Sequence, residues 1–243
     1  MTAIKETSGG KAWKTKNGTI IIRVMSGRSN VFLITNGMQH ILVDTSISLV
    51  WRRLARNLER MNIRHIDYLV LTHSHFDHAA NAGKVREKFG AKVVIHEAEA
   101  DPLANGTFLI PDGTIPITRL MTGALRKNNR LSFRTTPCRS DLRAGAGFDL
   151  KDSGYNVSLL HTPGHSPGSM SVIVDDEIAL VGDAMVGTFR WTVFPPFAVD
   201  VPQLIESWGK LLETRCTLFL PSHGSARSRT LVETDYLKRK QSL

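Results

Sequence analysis

Apolar and polar positions along the chain follow two periods. Over 19–25, 31–35 and 40–44, apolar and β-branched residues run together between Gly and Asn turns, which predicts three strands. Val50, Leu54, Leu58 and Met61 then fall at helical spacing, so 48–62 reads as an amphipathic helix. The alternation repeats as a buried strand over 67–72, a helix over 79–89 and a strand over 91–96. Three more strands follow over 155–160, 169–175 and 178–182. Leu204, Ile205, Trp208, Leu211 and Leu212 mark a further helix opening near Pro202. Strands and helices mixed in this way suggest two packed sheets with helices outside.

One stretch breaks the rhythm. From about 101 to 152 the chain is rich in Gly, Pro, Thr and Arg, with weak periodicity. Between Arg119 and Arg143 it carries Arg126, Lys127, Arg130, Arg134 and Arg139 against Asp141 alone. A connection this long inside a compact domain is usually a lid or binding loop. It is expected to frame a substrate pocket, with Arg126 and Arg130 supplying positive charge and Phe108, Leu109, Ile110 and Met121 an apolar lining. A solvated basic helix face is the competing account.

The chemistry is concentrated at strand ends. Thr72-His73-Ser74-His75-Phe76-Asp77-His78 packs three imidazoles and a carboxylate onto a strand-to-helix loop. Three later segments add candidates in the same position: His161-Thr162-Pro163-Gly164-His165, Val181-Gly182-Asp183-Ala184 and Phe219-Leu220-Pro221-Ser222-His223-Gly224. Imidazole binds metals through a neutral ring nitrogen. Imidazole with carboxylate suits zinc, with iron and manganese as alternatives. A sheet whose strand ends converge would gather these side chains at one edge, and they are too many for a single tetrahedral ion. Two divalent ions are therefore expected.

Size and composition add limits. The 243 residues suit one domain, with 42% hydrophobic and 22% charged residues. Cys138 and Cys216 lie far apart with no CxxC spacing, which argues against a disulfide framework and is compatible with a reducing cytoplasm. Residues 1–18 lack an apolar h-region, and no stretch reaches the 18 or so apolar residues of a membrane span, so a cytoplasmic protein without a membrane partner is expected. The net charge of +9 favours acidic partners without choosing among them. Nucleic acid is not favoured, because no aromatic and basic interleaving suggests a stacking platform. Oligomeric state is left open.

The HxHxDH run, the His of TPGH, the Asp of GD and the His of PSHG occur in the order found in the metallo-β-lactamase superfamily, which this chain resembles from residue 73 to 223. The strand Ile41-Leu42-Val43-Asp44-Thr45 resembles that family's early strand ending in Asp. The resemblance implies an α+β fold, a four-layer αββα sandwich, over a single domain 1–243 with the basic insertion beside the active site. It also implies that His73, His75 and His165 hold one metal, that Asp77, His78 and His223 hold a second, and that Asp183 bridges them. His161 and Asp44 have no ligand position in the pattern and are expected to orient ligands or serve the structure.

The expected activity is hydrolysis of a small-molecule ester, lactone or thioester by a hydroxide shared between two metal ions, with Asp77 accepting a hydrogen bond from the nucleophile. Phe189, Trp191, Phe194 and Phe197 follow Asp183, and Phe189 and Trp191 are the expected apolar contacts for the substrate. A phosphodiesterase or nuclease and a non-catalytic metal-binding member are the alternatives. The bridging Asp is unlike true β-lactamases of the family, and His78 is unlike the diiron members with Glu at that place. Only about twenty residues follow His223, unlike glyoxalase II with its helical extension. Ala184-Met185-Val186-Gly187 lacks the Tyr of acyl-homoserine lactonases. No tRNA-clamping arm of the RNase Z type is recognisable.

Overall fold

The computed structural model describes residues 4–7, 10–127, 132–145, 147–150, 154 and 156–242; for 4–7, 10, 109, 125–127, 132–134 and 147 only the backbone is described. Two large sheets dominate. The first has eight strands, in the order Ile4–Thr7, Gly10–Lys14, Ile20–Met25, Val31–Thr35, His40–Val43, Tyr68–Val70, Lys92–His96 and Leu142–Ala144. The second has six: Gly147–Asp149, Val157–His161, Met170–Val174, Ile178–Gly182, Leu218–Pro221 and Arg227–Ser228.

Alternation along the strands builds three apolar layers. Leu42, Leu69, Val93 and Ile95 face one way and pack with Leu54, Leu58, Val85, Phe89 and Leu103 from helices Trp51–Arg60, Ala82–Phe89 and Glu97–Asn105. Their neighbours Ile41, Val43, Val70 and Val94 face the other way, onto Val172, Val174, Ile178, Leu180 and Leu220 of the second sheet. Ile173, Ala179, Val181 and Phe219 point outward from that sheet, onto Leu204, Trp208, Leu211 and Val232 of helices Val201–Glu213 and Arg229–Lys240. Strands sandwiched on both faces must be apolar at every position, which is why they read as continuous runs. The order is helix, sheet, sheet, helix, the expected αββα sandwich. Cys138 and Cys216 are free and belong to the two outer cores.

Parallel pairing positions the loops. His40–Val43, Tyr68–Val70 and Lys92–His96 run parallel to one another, and Ile178–Gly182 runs parallel to Leu218–Pro221. Their carboxyl ends therefore open on the same side within each sheet, the side where α/β proteins bind ligands.

Several expectations change. The helix expected over 79–89 is two helices, Phe76–Ala79 and Ala82–Phe89. Asn81 interrupts them because its amide donates to the carbonyls of Thr45 and Ile47, both at 2.9 Å. The 101–152 segment is not one long connection. It contains the end of helix Glu97–Asn105, an antiparallel pair of strands Thr107–Leu109 and Ser132–Arg134 with helix Pro116–Lys127 between them in sequence, and two strands that join the large sheets. Strands this short give no period to read, and helix Pro116–Lys127 leaves Ile117, Leu120 and Met121 exposed, so its apolar positions do not mark a buried face. The strand Gly10–Lys14 and helix Arg229–Lys240 also went unforeseen. No helix among the described residues is long and apolar enough to cross a membrane.

The packing of the outer helix reaches the candidate chemistry. Trp208 is fully buried, and its indole N–H donates to the Ala184 carbonyl at 2.6 Å, one residue beyond Asp183. Trp208→Phe keeps most of the volume and strands that carbonyl without its donor. The variant is expected to lose about 1–3 kcal/mol of stability in urea unfolding, with the denaturant slope unchanged.

Candidate metal centre

All seven ligand candidates meet at one place. Ligand atoms of His73, His75 and His165 lie within 4.8 Å of one another, as do those of Asp77, His78 and His223, and those of His73, His78 and Asp183. Asp183 lies between the groups: its Oδ2 is 3.6 Å from His165 Nε2, 3.6 Å from His78 Nε2 and 3.3 Å from His223 Nε2. Asp77 reaches His223 Nε2 at 3.4 Å and His78 Nε2 at 3.7 Å. His75 Nδ1 and His165 Nε2 converge at 3.1 Å.

The backbone that carries these groups allows little substitution. Gly182 has φ 53°, and a Cβ there would stand 2.9 Å from the Cβ of Thr72. Gly224 has φ 90°, and a Cβ there would run into the backbone of Gly187. These two glycines let the Asp183 and His223 loops approach their neighbours.

Hydrogen bonds on the far side of each ring set its tautomer. The buried Asp44 carboxylate accepts from the Thr72 N–H at 2.8 Å, the Thr72 hydroxyl, the Ser222 hydroxyl at 3.1 Å and His78 Nδ1 at 2.8 Å. With its proton given to Asp44, Thr72 Oγ1 accepts from His73 Nδ1 at 3.0 Å. His165 Nδ1 donates to the Phe197 carbonyl at 3.0 Å. Each arrangement turns Nε2 of His73, His78 or His165 toward the centre. His73 Nε2, His78 Nε2 and Asp183 Oδ1 are buried there with no hydrogen-bond partner among the described residues. Buried polar atoms are ordinarily paired. Converging imidazole and carboxylate atoms without partners fit divalent cations, so this donor set suits a metal centre.

Charge divides the cluster. Burial, helped by the neighbouring imidazoles, lowers His75 to about 3 and holds His73 well below its usual range; burial also lowers His165. Burial thus favours the neutral form of all three rings. On the other side the carboxylates win. Asp183 foremost, opposed by burial and helped by Asp77, pushes His223 up to about 10. For His78 burial works against the charge, but Asp183, Asp77 and Asp44 raise it well above its usual range. Burial disfavours the charged forms of Asp183 and Asp77 as well, yet the facing imidazolium groups lower both.

The remaining expected residues are less tightly placed. His161 is no ligand: it stacks on His96 with ring centroids 4.0 Å apart and bonds the Pro167 carbonyl at 2.9 Å, bracing the loop that carries His165. Phe189 is half-buried and tied to the His223 turn, because Arg227 donates to its carbonyl at 2.8 Å and the Gly187 N–H donates to the His223 carbonyl. Trp191, against Phe189 at 5.7 Å, is 76% exposed. Phe194 is core, packed on Trp208. Arg130 lies outside the described residues, and Arg126 is described only by its backbone in helix Pro116–Lys127. Met121, expected to line the insertion, is exposed, whereas Phe108 packs edge-on against His75 at 5.6 Å and on Phe76 at 5.5 Å. Sequence reasoning missed the supporting hydroxyls of Thr72 and Ser222 and the Arg227 clamp, although Thr72 and Ser222 each directly precede a ligand.

The raised groups set a pH window. His223 sits above its ordinary 6.5, so its ion pairs stabilise the metal-free fold fully below about 6.5, and that contribution is lost as pH rises through about 10. Metal ligation requires the neutral ring, so zinc uptake near pH 7 is expected to release about two protons, from His78 and His223. Calorimetric titration in buffers of different ionisation enthalpy measures this directly. A binding heat that does not depend on the buffer would mean that both rings are already neutral.

Comparison with known proteins agrees with the geometry. The chain is 26% identical over 204 residues to a probable metallo-hydrolase of Methanocaldococcus jannaschii, covering 83% of this chain and 90% of that one. It is 26% identical over 231 residues to a metallo-beta-lactamase fold-containing protein of Sulfurisphaera tokodaii, covering 91% of this chain and 78% of that one. Among solved structures, an archaeal metallo-beta-lactamase superfamily protein from Sulfolobus tokodaii superposes with a TM-score of 0.62 at 21% identity, over 87% of this chain and 80% of that one. The metallo-beta-lactamase FEZ-1 of Legionella gormanii does so with a TM-score of 0.63 at 14% identity, over 91% and 93%. The sequence profile of the metallo-beta-lactamase superfamily matches residues 25–223, a span that begins ahead of the Asp44 strand and ends on His223, and the chain belongs to that superfamily.

Proposed function

We propose that this protein is a metal-dependent hydrolase that cleaves a small carboxylic ester, lactone or thioester at a centre built for two divalent ions. The observation that carries the reading is the position of Asp183, whose single oxygen Oδ2 faces imidazoles of both groups at 3.3–3.6 Å. A carboxylate so placed is shared by two ligand sets. His73, His75 and His165 would hold one ion, Asp77, His78 and His223 the other, and Asp183 both. Zinc suits this donor set, and iron or manganese would also be accepted. Bound there, such ions supply Lewis acidity and hydroxide at neutral pH.

The protein's own groups do the rest. Asp77, partly exposed beside His223, can accept a hydrogen bond from the attacking oxygen and later pass a proton to the leaving group. His223 stands beside it and is partly exposed, so the substrate approaches from the side of Asp77 and His223. Phe108 and Phe76 flank His75 with aromatic surface, and Phe189 follows the loop bonded to the His223 turn. Apolar walls with a few converging polar groups favour an acyl substrate. Both Nη atoms of the buried Arg227 donate to the Gly187, Phe189 and Ala226 carbonyls and the Ser225 hydroxyl, so its guanidinium serves the fold and not a substrate phosphate.

Two matched chromogenic substrates test the reading: a carboxylic ester or lactone, and a phosphodiester, each with the zinc-loaded protein. Faster carbonyl cleavage is expected; preference for the phosphodiester would replace the reading with a nuclease-like one. Asp183→Asn removes the charge of a shared ligand and should keep the fold while losing more turnover than the roughly 10–100-fold caused by altering a merely ligand-supporting group. Unchanged turnover would sink the shared-carboxylate centre.

A further inference from the structure

The three-histidine group draws its ligands from two loops that are ninety residues apart in sequence. His73 and His75 lie on the first, His165 on the second. Ser74 separates the two first-loop ligands and turns its side chain away from them, into the protein, where it is 1% exposed. There it meets Glu99, in the first turn of helix Glu97–Asn105 and 4% exposed. Glu99 Oε2 accepts from the Ser74 N–H at 3.2 Å and from the Ser74 hydroxyl in a short bond. Its other oxygen, Oε1, accepts from the Gly168 N–H at 3.2 Å, three residues beyond His165. Gly168 has no room for a side chain, since a Cβ would stand 2.5 Å from Glu99 Cγ.

A buried carboxylate normally costs several kcal/mol unless it is paired or hydrogen-bonded. Here three donors and the helix N-terminus supply the compensation, and two of those donors are backbone N–H groups of the metal-binding loops. A rigid three-atom fork therefore spans the two loops from behind the site, while Asp44 braces the opposite group through His78 and Ser222.

We propose that Glu99 is a positioning residue for the three-histidine metal position: its two oxygens set the spacing between the His73/His75 loop and the His165 loop, and so set that position's metal affinity without touching the ion. The proposal rests on the two-metal reading above. Glu99→Gln is the direct test, because the amide keeps the shape but offers only one acceptor and turns an NH2 toward a loop N–H. Zinc dissociation is measured by chelator competition followed by native mass spectrometry. The reference variants His165→Ala and Asp77→Asn identify which step belongs to which position.

In Glu99→Gln the three-histidine position is expected to weaken about 10–100-fold, the usual effect of removing a group that orders ligands, while the Asp77/His78/His223 position moves less than about threefold. Ser74→Ala, which removes one of the three bonds, should weaken the same position by a smaller factor and serves if Glu99→Gln does not fold. Equal weakening of both positions, or none in a folded variant, overturns the positioning role and leaves Glu99 as a structural carboxylate. Wild-type protein that binds a single ion would instead refute the two-metal reading. In that case the proposal survives only if His165→Ala abolishes that ion and Glu99→Gln weakens it.

Discussion

The Asp44 carboxylate is the interaction on which the centre depends. It is fully buried at the end of strand His40–Val43, and its four donors come from two strand ends and a short helix: Thr72 twice, Ser222, and His78 in helix Phe76–Ala79. The residue adopts φ 62°, a left-handed conformation costing about 1 kcal/mol that its hydrogen bonds offset. Through Thr72 it fixes His73, and through His78 Nδ1 it fixes the opposite group, so one anion orders ligands on both sides. It also ties the two sheets together, since Ser222 directly follows strand Leu218–Pro221 of the second and Thr72 lies just beyond strand Tyr68–Val70 of the first.

Asp44 and Glu99 divide that labour. Each is a buried carboxylate that holds ligand-bearing loops from outside the metal-facing shell, one by strand ends and the other by a helix N-terminus. An electrostatic asymmetry results: burial keeps His73, His75 and His165 neutral, and His78 and His223 are charged beside Asp77 and Asp183.

The sandwich and the metal centre were legible in the chain for a physical reason. Strands buried on both faces must be apolar throughout, and ligands must follow them on short loops, so His73, His75, Asp77, His78, His165, Asp183 and His223 announce themselves by type and position. Asp44 and His161 have no ligand position in the family pattern that the chain resembles; in the fold Asp44 bonds His78 and His161 stacks on His96. The segment around 101–152 was not legible. Its strands are two or three residues long, and Ile117, Leu120 and Met121 of helix Pro116–Lys127 lie exposed, so neither period reports burial there.

By itself the sequence determined the layer order, the strand ends that carry chemistry and the kind of atom that each ligand offers, because these follow from local periodicity and side-chain type. Tertiary structure alone decided which ring nitrogen faces the centre, and that Glu99 and Gly168 meet behind it. Those choices depend on contacts between residues far apart in the chain, set by sheet register and helix docking, to which no local pattern is sensitive.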